Sequence, residues 1–295
     1  MYATFCYQMM AEGCLGGIMR KIIGAAALVS LMLSPLLTAQ ASTPAEDREA
    51  FREYFKKNMP SDDLADYKNG IYAFNKDARA QWEEIEEFPP YEIQLDEGEE
   101  LWDKKFANGK SFESCLGKLD TIRAKYPHFD EKNDTIVTLE GSINKCLTEN
   151  GEKPLKWKKG KMASLSGYIA RAANGQKIKV EVKGDKALAW YNKGKNFFYA
   201  KRGQLNLSCA DCHVYNASKW IRGDNLGPAL GHPTHFPVFR SKWGELGTLH
   251  RRYGGCNKQV RAKPFKAQSD EYKALEYFQA VMSDGLEING PGARK

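Results

Sequence analysis

Cysteine and histidine stand next to each other once in this sequence of 295 residues, in the run Cys209-Ala-Asp-Cys212-His213. Two thiols separated by two residues and followed by histidine are the attachment signature of c-type haem. The thiols add to the porphyrin vinyl groups, and the histidine donates an imidazole nitrogen to the iron. A zinc half-site would need two more ligands at close spacing, for which only His232 and His235 are candidates. A thioredoxin-like redox pair would not require the histidine. The run therefore predicts one covalently attached haem c.

A self-comparison of the sequence reveals an internal repeat at an offset of about 110 residues. The matching positions are Tyr126-Pro127-x-Phe129 with Phe236-Pro237-x-Phe239, Thr138-Leu139 with Thr248-Leu249, and Cys146 with Cys256. We therefore predict a mainly α-helical protein with two tandem cytochrome c-like domains derived from an internal duplication. The first copy has no C-x-x-C-H run and is predicted to lack haem.

Each copy is predicted to contain an opening helix, a cysteine-bearing turn, a long loop-rich stretch and a closing amphipathic helix. Apolar periodicity places the closing helices at about Lys161 to Ala173 and about Asp270 to Asp284. Residues 180–190 are interpreted as a short extended linker or hairpin between the copies. The predicted organisation is a helical N-terminal extension (42–95), a haem-less domain (96–180) and a haem-binding domain (190–290).

Residues 1–41 have the pattern of a cleaved signal peptide. Met19-Arg20-Lys21 is a positive start, Ile22 to Leu37 is an apolar run, and Ala39-Gln40-Ala41 is a small-residue cleavage site. Because a complete signal begins at Met19, we expect Met19 to be the true initiator. The apolar run is too short to span a membrane comfortably. The mature chain is therefore expected to be exported to the periplasm, where disulfides persist.

The composition excludes several classes of function. A hydrophobic fraction of 42% argues against disorder, and no second apolar stretch suggests a membrane span. The net charge of +7 is mild, and lysine and arginine are scattered among acidic residues. This pattern argues against nucleic acid and favours an anionic small molecule or an acidic protein partner.

The cysteines of the first copy are expected to form a disulfide. Cys115 and Cys146 remain as a pair in an oxidising compartment. The bond would close a loop of about thirty residues and stabilise the fold by a few kcal/mol, replacing part of what a lost haem contributed. If Cys115, at the former attachment turn, reaches Cys146, then the repeat places Cys256 beside the haem cavity of the second copy.

Cys256 is therefore our candidate for the second axial position of the haem iron, opposite His213. Met162 and Met282 lie within the apolar stripes of the closing helices and are not free to ligate. In the alternative interpretation Cys256 is a free thiol, and one of three histidines takes the axial place. These histidines are His232, His235 and His250.

Cationic side chains near Cys256 suggest an oxyanion as ligand. Arginine stays protonated and presents a planar fork that suits oxyanions, so Arg252 is the candidate for holding a sulfur oxyanion against the Cys256 sulfur. For Arg251, pairing with a haem propionate is an equally good interpretation. Lys258 and Arg261 are weaker candidates on the same grounds.

These motifs together resemble the SoxA family, the cytochrome subunit of the SoxAX complex of thiosulfate oxidation. The resemblance covers about residues 60–290. The matching stretches are Phe106-Ala-Asn-Gly-Lys110, Ser208-Cys209-Ala-Asp-Cys212-His213 and Arg251-Arg252-Tyr253-Gly254-Gly255-Cys256-Asn257. Because the first attachment motif is missing, the chain resembles the mono-haem type, in which a disulfide replaces the lost site.

The resemblance implies L-cysteine S-thiosulfotransferase activity. Thiosulfate would be joined oxidatively to a cysteine of the SoxYZ carrier protein, with two electrons leaving through haem to a cytochrome c acceptor. It also implies a heterodimer with SoxX, a smaller cytochrome c. His213 would be the proximal ligand, Cys256 the distal ligand and the catalytic sulfur, as a persulfide, and Arg252 the substrate-binding cation. The alternative is a simple mono-haem electron-transfer cytochrome c without thiol catalysis.

Overall fold

The computed structural model describes residues 42–294, so the predicted signal peptide and the proposed initiator Met19 lie outside the described residues. The α-helices in this part of the chain are α1 (Pro44–Asn58), α2 (Lys76–Glu87), α3 (Glu92–Asp103), α4 (Phe112–Leu116), α5 (Leu119–Ile122), α6 (Leu139–Glu149), α7 (Lys161–Ala172), α8 (Gly184–Tyr199), α9 (Cys209–His213), α10 (Leu249–Gln259) and α11 (Asp270–Met282). None of the helices within residues 42–294 has the length and apolar character that a bilayer-spanning segment requires.

The strands are short and form small sheets between the helices. They are β1 (His128–Asp130), β2 (Thr135–Val137), β3 (Trp220–Ile221), β4 (Asp224–Asn225), β5 (Val238–Arg240), β6 (Glu245–Gly247) and β7 (Gly292–Arg294). Strands β1 and β2 form an antiparallel hairpin, as do β3 and β4. Strand β5 is the central strand of a three-stranded sheet, because it pairs antiparallel with β6, with which it forms a third hairpin, and parallel with β7.

The same order of elements occurs in both halves of the described chain. In the first half, α3 and α4 precede the β1–β2 hairpin, which is followed by α6 and α7. In the second half, α8 and α9 precede the β5–β6 hairpin, which is followed by α10 and α11. In each half the cysteine-bearing helix is a single short turn, and the next long helix carries one further cysteine, Cys146 or Cys256.

The opening and closing helices of each half cross at a glycine. A Cβ atom on Gly98 of α3 would lie 2.3 Å from the carbonyl oxygen of Ser164 in α7. A Cβ atom on Gly194 of α8 would lie 2.0 Å from the carbonyl oxygen of Ala274 in α11. Both distances are too short for a side chain, so only glycine lets the two backbones approach this closely.

Gly194→Ala is expected to lower the free energy of unfolding by about 1–3 kcal/mol, because the methyl group forces α8 and α11 apart. This cost exceeds the gain of about 1 kcal/mol that alanine brings to a helix interior. Gly223→Ala is the control, because nothing lies within 4 Å of its Cβ position. The control should stay within about 0.5 kcal/mol of wild type in urea unfolding. Equal stabilities for the two variants would contradict the close crossing.

The N-terminal extension packs against the second half. Helix α1 buries Phe51 and Phe55, and the Phe51 ring lies 6.3 Å from the Phe198 ring of α8. The carboxylate of Asp47 accepts hydrogen bonds from Lys195 and Tyr191, with the Lys195 contact at 2.6 Å. The extension therefore contributes to the core around α8 and α11.

The structure corrects two predictions of secondary structure, one for residues 180–190 and one for the stretches that follow the cysteine-bearing turns. Residues 180–190 do not form a linker or hairpin, because α8 begins at Gly184 and continues through residue 190. Its buried positions Ala187, Tyr191 and Phe198 recur at helical spacing and pack against α11. The stretch predicted to be loop-rich contains the hairpins and helices α6 and α10, so Cys256 lies on a helix. The closing helices α7 and α11 match their predicted positions to within two residues.

Candidate functional site

The Cys209–His213 run forms one capped helical turn, α9. The Ser208 hydroxyl accepts a hydrogen bond from the Asp211 amide at 3.0 Å, and the Asp211 carboxylate accepts one from the Ser208 amide at 2.8 Å. This capping box fixes the start of a helix that is too short to be stable alone. The turn thereby holds Cys209, Cys212 and His213 in a defined arrangement, and both cysteines are free thiols.

The imidazole of His213 is oriented by the backbone. Its Nδ1 atom lies 2.9 Å from the carbonyl oxygen of Gly227. Because a carbonyl oxygen only accepts, Nδ1 must carry the proton, and Nε2 keeps its lone pair. A hydrogen bond of this kind on the other ring nitrogen is the usual way in which a protein orients a metal-binding histidine.

Helix α10 brings Cys256 and Arg252 to the same place. The two residues are four positions apart and share one face of the helix. Burial raises the pKa of the Cys256 thiol, but nearby positive charge, chiefly that of Arg252, outweighs this and brings the pKa to about 7. Since the Nδ1 of His213 is engaged with Gly227, its Nε2 is the nitrogen directed at the Cys256 sulfur.

The three free cysteines differ in acidity. Burial raises the pKa of Cys209 to about 12 and also raises the pKa of Cys212. Only Cys256 has a lowered pKa among the free cysteines of residues 42–294. Because the thiolate is the form of cysteine that acts as nucleophile and metal ligand, Cys256 is the free cysteine of residues 42–294 whose pKa best suits either role.

These residues fit a haem c. Two free thiols at the attachment spacing lie on the same turn as a histidine whose Nε2 lone pair is available. The Cys256 thiol faces that nitrogen. His213, Cys256 and the thiols of Cys209 and Cys212 would therefore hold the group.

The other histidines are engaged elsewhere. The Nε2 of His250 lies 3.0 Å from the Glu276 carboxylate, and its Nδ1 accepts a hydrogen bond from the Gln268 amide at 3.0 Å. The rings of His232 and His213 are in direct edge-to-face contact, with centroids 4.4 Å apart, and the Nδ1 of His232 lies 3.4 Å from the side-chain amide nitrogen of Gln279. His235 is buried and bonded to the backbone of Lys68.

The buried His235 should make the fold sensitive to acid. Burial lowers the pKa of His235 well below its ordinary value. Below about pH 6.5 the unfolded chain therefore binds a proton that the folded chain does not. As the pH is lowered below this value, His235 should reduce the free energy of unfolding by up to about 1.4 kcal/mol per pH unit. Urea unfolding between pH 5 and 7 should give a shallower slope for His235→Gln than for wild type. Equal slopes would show that another group is responsible.

Cys115 of α4 and Cys146 of α6 are joined by a disulfide with a Cα–Cα distance of 5.8 Å. The position of Cys115 corresponds to that of Cys212, because each is the fourth residue after a capping serine, Ser111 or Ser208. Cys146 corresponds to Cys256 in the repeat. The disulfide therefore joins the two positions whose counterparts meet at the candidate site.

The remaining cations near Cys256 have distinct surroundings. The guanidinium of Arg251 pairs with Glu245 at 3.1 Å and lies over the Trp243 ring, so it is not directed at Cys256. Lys258 is exposed on α10. Arg261 contacts Gln204 at 3.5 Å.

Arg240 on β5 is a functional candidate that was not predicted from the sequence, and its positive charge also lowers the pKa of Cys256. The repeat contained a signal for it. At an offset of 110 residues Arg240 falls on Asp130, just as Arg252 falls on Ser142, so both cations are specific to the second copy.

Comparisons with known proteins give a consistent assignment. A family model described as SoxA/TsdA, cytochrome c domain, matches residues 97–178. The chain is 53% identical over 271 residues to the L-cysteine S-thiosulfotransferase subunit SoxA of Chlorobaculum tepidum, covering 88% of this chain and 95% of that protein. It is 48% identical to the corresponding subunit of Allochromatium vinosum, covering 88% of this chain and 94% of that protein. The crystal structure of SoxXA from P. pantotrophus matches with a TM-score of 0.67 at 30% identity, covering 73% of this chain and 84% of that chain.

Proposed function

The chain belongs to the SoxA family, and from this premise we propose that it is an L-cysteine S-thiosulfotransferase that couples thiosulfate to a cysteine of a SoxYZ-type carrier protein. In the overall reaction the carrier thiol loses its proton, and its sulfur bonds to the outer sulfur of thiosulfate. The product is a cysteine S-thiosulfonate, and one proton and two electrons are released. The electrons leave through haem c to a cytochrome c acceptor.

One observation carries the proposal. The sequence places a third free cysteine far from the attachment motif, yet the Cys256 thiol faces His213 and has a pKa of about 7. A plain electron carrier needs a ligand for its iron but has no need of an acidic thiol beside a guanidinium. Thiosulfotransfer requires a sulfur nucleophile that is ionised near neutral pH.

The residues of this chain have separate roles in the proposal. Cys256 is the catalytic sulfur, used as a persulfide. The outer sulfur of thiosulfate bonds to this persulfide with loss of two electrons, and the carrier thiolate then attacks the thiosulfate-derived sulfur and displaces the persulfide by sulfur–sulfur exchange. Arg252 binds the sulfonate oxygens and keeps the substrate against the sulfur. His213 is held by Gly227 and faces Cys256 with its other ring nitrogen.

The cofactor in the proposal is a single haem c, which supplies a one-electron acceptor beside the catalytic sulfur when it is bound. Cys209 and Cys212 would form the covalent bonds, and His213 and Cys256 would bind the iron. The first half lacks the attachment run, and its corresponding cysteines are consumed in the Cys115–Cys146 disulfide.

We further propose that the two halves derive from an internal duplication, with a haem-less domain (96–180), a haem-binding domain (190–290) and an N-terminal extension (42–95). The repeated element order and the glycine crossings at Gly98 and Gly194 support this proposal. Backbone hydrogen bonds between the halves also support it. Gly175 N to Ile288 O, at 2.9 Å, has its counterpart in Gly285 N to Ile178 O, at 2.8 Å.

The proposal places the protein in the periplasm as a heterodimer with a SoxX-type cytochrome c. The SoxXA structure with which the chain aligns supports the partner. The disulfide and the signal-peptide pattern of residues 1–41 support an oxidising compartment. Cleavage of that segment in the exported protein is part of the same proposal.

The test combines the haem-loaded complex with thiosulfate and the carrier, and measures the intact mass of the carrier. We expect the carrier to gain the mass of a thiosulfonate group only when all components are present, together with reduction of the haem. A carrier of unchanged mass, with haem that still exchanges electrons with a cytochrome c acceptor, would identify a simple electron-transfer cytochrome instead. Peptide mass spectrometry of Cys256 would reveal the persulfide as a gain of one sulfur atom.

A further inference from the structure

Strand β5 carries a buried cation that the proposed function does not use. The side chain of Arg240 is 6% exposed, and its Nε atom has no hydrogen-bond partner among the described residues. Its acidic partner, Asp224, is 37% exposed, and the two groups lie 3.4 Å apart. The guanidinium also lies over the Trp243 ring at 5.8 Å.

This arrangement is costly for the folded chain. Removing a charge from water is compensated only when its partners are close and its remaining hydrogen-bond donors are satisfied. The contact with Asp224 is long for a charge-assisted hydrogen bond, which normally measures about 2.7–2.9 Å. Arg240 therefore keeps donor capacity that no group of the described chain uses.

The charges around Arg240 indicate what would use it. Arg240 interacts electrostatically with Arg252 and with the Cys256 thiol, and Lys242 interacts with all three of these groups. Asp224 and the hydroxyl of Tyr72 are the other titratable groups that face Arg240. Cations outnumber anions in this cluster even when Cys256 is ionised, so an added anion would be attracted to it.

The first half supplies an internal comparison. Arg240 is opposite Glu245 in the β5–β6 hairpin, and Asp130 is opposite Thr135 at the same place in the β1–β2 hairpin. Asp130 is bonded within its own turn, to Asn133 and Lys132. The hairpin therefore forms without an arginine at this position, which argues against a purely structural need for Arg240.

We propose that Arg240 is the second anion-binding residue of the site and that it holds the sulfonate group of thiosulfate jointly with Arg252. Two guanidinium forks on different elements, β5 and α10, can share the three sulfonate oxygens and leave the outer sulfur of the substrate directed at Cys256. The assignment deepens the proposed function and rests on it. The same donor chemistry would suit the carboxylate of a haem propionate, which the experiment must distinguish.

The experiment compares Arg240→Gln with wild type in the haem-loaded complex. We expect the KM for thiosulfate to rise by about 10- to 100-fold, the loss that follows removal of a charged hydrogen bond. The haem content and absorption spectrum should be unchanged. Calorimetric titration with thiosulfate, without the carrier, should show the same weakening. Arg240→Lys should fall between the two, because it keeps the charge and loses the fork.

Arg251→Gln is the matched control, since it removes the same charge from a guanidinium that is paired with Glu245. The variant Asp224→Asn distinguishes a role of Arg240 in substrate binding from a role in pairing with Asp224. If Arg240 binds sulfonate, removal of the competing carboxylate should leave the KM equal or lower. If Arg240 serves only to pair with Asp224, this variant should behave like Arg240→Gln, and the proposal is overturned.

Two further results would overturn the assignment. One is a KM for Arg240→Gln no higher than that for Arg251→Gln. The other is a loss of haem or a shifted reduction potential with an unchanged KM per loaded molecule, which would identify a propionate as the anion. If the proposed thiosulfotransferase function itself were wrong, the wild-type complex would leave the mass of the carrier unchanged at every concentration of thiosulfate. This result is distinct from a failure of the Arg240 assignment alone.

Discussion

Cys256→Ser is expected to abolish thiosulfonate formation on the carrier and to leave haem c covalently attached. A serine hydroxyl cannot form the sulfur–sulfur bond that the proposed exchange needs, and it is not ionised near neutral pH. We expect the coupling rate to fall by on the order of 10³-fold or more, as for the loss of a catalytic nucleophile. Attachment should persist because its thiols, Cys209 and Cys212, lie on the separately capped turn α9.

The measurement has two parts. Carrier mass reports coupling, and the absorption spectrum of the denatured protein reports covalent haem. The proposed ligation by Cys256 also predicts a changed spectrum of the folded variant, because serine provides no sulfur to bind the iron. Lys258→Ser is the control, since Lys258 is exposed on the same helix. Undiminished coupling by Cys256→Ser would leave only the electron-transfer function.

The haem attachment site could be predicted from the sequence because the residues that form it are neighbours in the chain. Cys209, Cys212 and His213 lie within five residues of one capped turn, so their spacing already fixes their relative positions. The resemblance to the SoxA family, inferred from this run and from the arginines and cysteine around Cys256, is confirmed by the curated relatives. A short motif defines chemistry without knowledge of the rest of the fold.

The location of Cys256 could be predicted only from the internal repeat. Cys256 is distant from the attachment run in sequence, and only its correspondence with Cys146 indicated that it lies near His213. The position of Cys256 on α10, and its alignment with Arg252 along this helix, were not predicted from the sequence. The apolar pattern of α10 is interrupted by Gly254 and Gly255, which weakens the helical signal.

Other features depend on contacts that no local pattern encodes. Arg240 reaches the site through the pairing of β5 with β6 and β7, and the carbonyl of Gly227 reaches His213 through a loop. Helix α8 was placed too late because Val180 and Val182 suggest an extended segment. Its buried face, which includes Tyr191 and Phe198, lies mostly beyond residue 190. The segment 180–190 therefore contains too few of the regularly spaced apolar residues of α8 for the helix to be recognised.

Breaking the Cys115–Cys146 disulfide should destabilise the first half. The bond closes a loop between cysteines 31 positions apart. Constraint of the unfolded chain by a loop of this length corresponds to about 3–4 kcal/mol. We expect Cys115→Ala/Cys146→Ala to lose about this much free energy of unfolding in urea, measured by far-UV circular dichroism. The haem spectrum should be unchanged, because Cys209, Cys212 and Cys256 belong to the second half.

The single variants test whether the covalent bond itself is responsible. Cys115 is exposed, whereas Cys146 is buried at 2% exposure, so packing alone predicts a large loss only for Cys146→Ala. The disulfide argument predicts that each single replacement already causes most of the loss of the double variant, because either one removes the same bond. Losses that instead add from Cys115→Ala and Cys146→Ala would assign the stability to side-chain packing and not to the cross-link.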